Sequence, residues 1–251
     1  MDGQQLIHTH KMINLRRINT AAEYEAAVAR QKDPVAVFIE SIDEMRYYTW
    51  VPNFNNHAYV DLDLPSETYW ADRNLGASDS TGKGRYYSWG DITGQYVGAT
   101  SGHYICDFDW DSYRFHNGST YSGANITKYN STDGKKVLDY EDDAVNISWG
   151  GDWHIPTREQ FLELINQTNN EWTGSGMRFY SKKDNTKFIY IPACGAGNID
   201  TIASYGSSIR MQCCDKGTDS RSSYSFLGNS NGCSVTSSNR YLGLSVRGVV
   251  G

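Results

Sequence analysis

Basic clusters are missing from this sequence, and so is any apolar run of eighteen residues. The first absence, with 23 Lys and Arg against 29 Asp and Glu and a formal net charge of −6, excludes a phosphate-binding surface, which needs clustered cations. The second excludes a membrane-spanning helix, and the opening MDGQQLIHTHKMINLRR has no apolar core of a signal peptide. The expectation is a chain with no nucleic-acid partner and no membrane insertion. It stays in a cytoplasm or leaves it by a route other than secretion. Cysteine is sparse: Cys106, Cys194, Cys213, Cys214 and Cys233 show no CxxC or Cys/His metal spacing, and five is an odd number. They read as free thiols rather than a disulfide framework. Ser-His-Asp spacing, a nucleophile elbow and a phosphate loop are absent too, so the chain reads as no enzyme.

Tyrosine is in excess, with 18 copies among 251 residues. Its rigid face and polar tip suit binding surfaces, and equally the half-buried positions of a β-rich core. Residues 1–52 have their own grammar. Thr20 and Glu23 form a capping-box pair, Pro34 stops the helix, and VAVFIES and MRYYTWV follow as strands. This predicts a small α/β attachment or oligomerisation unit, too small to bury a core alone. The asparagine-rich VPNFNNH marks the boundary, and a second domain spans 57–251.

That domain alternates short apolar pieces with Gly, Asn, Asp and Ser. The pattern predicts an irregular α+β fold with much loop. TREQFLELINQ is the clearest helix: Thr157 caps, Gln160 reaches back, and Phe161, Leu164 and Ile165 form the buried stripe. LDYEDDAV is a weaker one, with Glu141, Asp142 and Asp143 in its first turn. KFIYIPAC and YLGLSVRGVV read as strands.

Four segments, YVDLDLPSETYWADRNLGAS, GRYYSWGD, EDDAVNISWGGDWHIPTREQFLELI and NRYLGLSVRGVV, together resemble the Bacteroidetes paralogous domain first noted in Fibrobacter succinogenes. The resemblance implies a C-type-lectin-like (formylglycine-generating-enzyme-like) α+β domain. The C-terminal region is similar to that of variable proteins of diversity-generating retroelements, of phage tail or adhesin type. Their AAC codons, mutated at adenine, exclude Lys, Glu, Gln, Met and Trp. Gly217 to Gly251 contains none of the five.

Aligned on that pattern, Met211 stands where the family has Trp, Cys213 and Cys214 stand at serine positions, and Ser223 and Tyr224 form its Ala-Tyr pair. The variable, ligand-binding positions implied are Cys213, Cys214, Asp219, Arg221, Ser222, Ser225, Leu227, Asn229, Asn231, Gly232, Ser234, Thr236, Ser237, Ser238, Asn239 and Leu242, within a tract of about 206–243. Arg240, Tyr241 and Val246 would be fixed supports, and Gly248 replaces a usual proline. Side chains can be rewritten without unfolding only where solvent-exposed, and Ser225, Leu227 and Asn229 alternate with Phe226 and Gly228 as one face of a strand would. A Ser/Gly-rich surface loop with no binding role has the same composition.

The expected function is a receptor-binding protein on a virion tail or fibre that recognises a bacterial surface protein or glycan, as a homo-oligomer, by analogy with fibres a trimer. The alternatives are a non-diversified ligand-binding protein of the bacterial cytoplasm or cell surface, and a formylglycine-generating-like oxidase using Cys213 and Cys214. No cofactor is expected. Calcium among Glu141 to Asp143 or at Asp107, Asp109 and Asp111, and metal at His8 and His10, are weaker readings, because helix-start acids and a single HxH occur commonly without metal.

Overall fold

Short alternating pieces separated by turn residues become short strands. The structure is a computed structural model describing residues 53–100, 103–105 and 107–251. The chain divides into two units, Met1–Asn56 and His57–Gly251. In the first, β1 (Asn53–Phe54) is the described element. The expected N-terminal helix and strands, His8, His10 and Cys106 lie outside the described residues.

The second unit begins with β2 (His57–Asp61), β3 (Tyr69–Asn74), β4 (Tyr86–Tyr87), β5 (Gly98–Thr100) and β6 (His103–Ile105). A long connection leads to two helices, α1 (Ala144–Trp149) and α2 (Arg158–Gln167). Then come β7 (Thr168–Trp172), β8 (Gly176–Ser181), β9 (Phe188–Pro192), β10 (Ala196–Asn198) and β11 (Thr201–Ala203). The last third holds β12 (Ile209–Lys216), β13 (Ser222–Asn229), β14 (Gly232–Asn239), β15 (Leu244–Ser245) and β16 (Arg247–Val250).

Strand residues make up 39% and helical residues 12%, in several sheets and a half-barrel. This corrects the expected α+β, C-type-lectin-like class: the fold is mainly β. The physical reason is that the Gly, Asn, Asp and Ser clusters read as long loops are in large part tight turns between short strands. The second helix is also short. Asp143, not Glu141, starts α1, its Oδ1 accepting from the amides of Val145 and Asn146, while Tyr140–Asp142 is a 3-10 turn. YLGLSVRGVV is not one strand either. Val246 separates β15, which runs parallel to β12, from β16, which pairs with β3 in another sheet.

Helix α2 forms where its caps place it. Thr157 accepts from the amide of Gln160, and the Gln160 side chain accepts from the amide of Thr157. Phe161 and Leu164 are buried and Ile165 partly so. Phe161 stacks on Phe226 at 5.1 Å and meets Trp70 edge-on at 5.1 Å, with Phe179 closing the cluster. Each such buried ring is worth about 2–3 kcal/mol. Arg247, fully buried, joins β16 to its surroundings, donating to Asn74 Oδ1 and to the carbonyls of Ala71 and Tyr190. Burial pushes its guanidinium down to about 10, outweighing the attraction of Asp72.

Candidate functional site

The five-stranded sheet, in the order β14-β13-β12-β15-β4, carries the C-terminal tract at its edge. In β12 the sequence Ile-Arg-Met-Gln alternates, and pairing sets Arg210 opposite Leu227, Met211 opposite Phe226 and Gln212 opposite Ser225. In the outer hairpin Leu227 faces Ser234, Ser225 faces Thr236 and Ser223 faces Ser238. The pleat therefore puts Arg210, Leu227, Ser234, Thr236 and Ser238 on one face, and Met211, Phe226 and Val235 on the other, against the core.

The segment before β13 is shaped by Asp219. Its Oδ1 accepts from the amides of Arg221 and Ser222, each at 2.9 Å, and from Ser222 Oγ at 2.8 Å. These bonds, the hydroxyl first, hold its carboxyl below the usual range. Arg221 then lies over the Tyr121 ring, 5.2 Å from its centre. Arg240, wholly buried, supports the segment from beneath, donating to the carbonyls of Ser222 and Tyr129 and packing 4.7 Å from the Trp89 ring.

Between this segment and the end of β14 is an open groove of about 400 Å³, lined by Arg210, Thr218, Asp219, Arg221, Ser222, Ser237, Ser238, Asn239 and Leu242. Thus Asp219, Arg221, Ser222, Ser237, Ser238, Asn239 and Leu242, all expected to vary, come together. Asn229, Asn231 and Gly232 do not. They form the hairpin turn at the other end of the ribbon, seven register steps from the Ser222–Asn239 pair, or about 23 Å at strand rise. Leu227, Ser234 and Thr236 lie between, half-buried or exposed.

Several expected positions are corrected. Cys213 and Cys214 are buried, at 0% and 3% exposure. The pairing of β12 with β13 slips between Gln212 and Lys216, and the bulged residues are gripped from outside the strand. The Cys213 carbonyl accepts from Trp89 Nε1, the Cys214 amide donates to Pro156, and the Cys214 carbonyl accepts from Leu138. Ser225 is fully buried and Ser238 is at 9%, their hydroxyls 2.7 Å apart, so this pair is set into the ribbon rather than projecting from it. Gly232 has φ +124°, where a side chain is strained, so it is no freely exchangeable position.

Arg210 and Thr218 line the groove but were not singled out. The alternation in Ile209-Arg210-Met211-Gln212 is the signal that places Arg210 outward.

Burial also pushes the Cys213 and Cys214 thiols well above their ordinary value, the opposite of what a nucleophile needs. Asp139, Glu141 and Asp142 converge, but Lys128 Nζ already occupies their centre, bonding Asp139 at 2.9 Å, Glu141 at 2.8 Å and Asp142 at 2.5 Å. His116 is buried with both ring nitrogens engaged, Nδ1 with the Trp110 carbonyl and Nε2 with the Ser122 amide.

No family model, curated protein or solved structure matches the chain. The likeness in the four quoted segments therefore rests on those residues alone.

Proposed function

We propose that this is a receptor- or ligand-binding protein of phage tail-fibre or adhesin type, and that the groove between the segment before β13 and the end of β14 belongs to a diversified recognition surface. One observation carries the reading. Seven of the nine groove-lining residues are positions that the resemblance to variable proteins implies to vary.

The action is recognition, not catalysis. Exposed Arg, Ser and Asn groups make adaptable polar contacts, and repetition in an oligomer multiplies weak contacts into avidity. The proposed setting is a virion tail or fibre, the proposed partner a bacterial surface protein or glycan, and the proposed assembly a trimer, which light scattering checks.

The test is binding of the full chain to bacterial cells, with Arg221→Ala, Ser237→Ala and Asn239→Ala combined. Cell binding should fall at least about tenfold, equivalent to 1.4 kcal/mol, with thermal stability little changed, because Arg221 and Ser237 are exposed and Asn239 is half-buried, and exposed changes cost within about 0.5 kcal/mol. Binding unaffected by the triple change would end the reading. Sequencing the locus supplies an independent check: a reverse transcriptase and a template repeat differing at adenines are expected nearby.

A further inference from the structure

The groove holds two guanidinium groups that form no ion pair among the described residues. Arg210 sits half-buried on the outward face of β12, and its side chain has no hydrogen bond or ion pair among the described residues. Burial lowers its affinity for a proton, as expected for a cation taken from water with nothing to pair it. The fully buried Arg240 and Arg247 differ: Arg240 donates to two carbonyls, and Arg247 to two carbonyls and an amide oxygen. Arg221, exposed, rests on the Tyr121 ring and likewise lacks a carboxylate partner among the described residues.

Asp219 is the obvious counter-ion, yet it pairs with neither. Its Oδ1 is turned back onto the Arg221 amide, the Ser222 amide and the Ser222 hydroxyl. The groove lining therefore carries two guanidinium groups against one carboxylate, in a chain whose net charge is −6. A long polyanion such as nucleic acid would meet that overall charge and find only two cations. A small ligand with one carboxylate would not, and guanidinium matches carboxylate with paired hydrogen bonds.

The rest of the lining states what surrounds that carboxylate. Ser237 supplies a hydroxyl, Ser222 a hydroxyl oxygen whose proton goes to Asp219, Asn239 an amide, and Leu242 one apolar contact, while the Ser238 hydroxyl is turned to Ser225. Such a set suits a ring bearing hydroxyls, and a groove of about 400 Å³ lies in the range of small-ligand sites. Resting on the reading of this face as a binding surface, we propose that the groove binds a carboxylate-bearing saccharide. Arg210 and Arg221 supply the cations for the acid, while Ser237 and Asn239 meet the hydroxyls.

The experiment is calorimetric titration of the full chain with a panel of uronate and sialate oligosaccharides, each beside its methyl ester, at low and high salt. At least one acid should bind about tenfold or more tighter than its ester, the gain of one charge-assisted pair, and salt should erode the difference. Whether uronates or sialates show it identifies the source of the carboxylate. Arg221→Gln should cut the preference to threefold or less. Arg210→Gln should do the same, and if that variant does not fold, the exposed Arg221 position decides.

Acids and esters binding alike, or no member of the panel binding, overturns the proposal. If cell binding still depends on Ser237 and Asn239 in that case, only the ligand class is wrong. If it does not, the surface reading fails with it.

Discussion

Phe226 and Leu227 are adjacent in the chain and opposite in environment. Phe226 has no exposed surface, stacks on Phe161 and meets Phe179 edge-on. Leu227 points away, with Arg210 and Ser234 as its cross-strand partners. Phe226→Ala should cost about 3–5 kcal/mol in urea unfolding, and Leu227→Asn less than about 1 kcal/mol. Equal costs would mean that the two faces of β13 are wrongly assigned. The thiols give a second test at this scale. Cys194, Cys213 and Cys214 are buried and Cys233 is half-buried. Mass mapping after native thiol labelling should find Cys233 modified before Cys194, Cys213 and Cys214, which stay protected until unfolding. Rapid labelling of Cys213 or Cys214 would reopen the oxidase reading. These burials explain what composition could not say. Serine and cysteine are small enough for either environment, so Ser225, Cys213 and Cys214 look in the sequence like Ser234 and Ser237.

Elements were legible where their signals were local. The capping box of α2 and its buried stripe lie within eleven consecutive residues, and Thr157→Ala should cost about 1 kcal/mol, read as a lower unfolding midpoint with an unchanged denaturant slope. The bulge at Cys213–Asp215 was not legible, because its partners Trp89, Leu138 and Pro156 are far away in the sequence. The same holds for the acidic segment before α1, which looked like the first turn of a helix or a calcium site. Lys128 decides its role. Hydrogen bonds from Lys135 and then Lys128 bring the Asp139 carboxyl down to about 2. A carboxyl lowered by folding stabilises the native state above its ordinary pKa near 4, and that contribution is lost as pH falls from about 4 towards 2. Asp139→Asn should therefore lower stability at pH 6, by no more than about 1 kcal/mol for so accessible a pair, and flatten this part of the acid limb. An unchanged acid limb would show that the ion pairs do not persist in solution.

At the scale of the whole unit, a rewritable face needs a framework that does not depend on the rewritten residues. Arg240 separates the two roles. Flanked by Asn239, which lines the groove, it contributes nothing to the exposed face. It ties the Ser222 carbonyl at the start of β13 to the Tyr129 carbonyl in the connection before α1, across the Trp89 ring. That connection is aromatic throughout, with Phe115 against Tyr129 and Trp110 against Tyr113, Tyr121 and Tyr241. Arg240→Met keeps the apolar stem and removes the donors, so the loss should fall on the link rather than on packing. The expected result is destabilisation of roughly 2–4 kcal/mol from two lost bonds of a charged donor. Amide exchange should be faster around Ile126–Tyr129 and Ser222–Tyr224, with protection of α2 and β8 reduced only in proportion to global stability. Arg221→Ala, beside it in space but exposed, should change neither. If both variants loosened the same amides equally, framework and surface would not be separable here, and a face of interchangeable side chains would have nothing rigid to stand on.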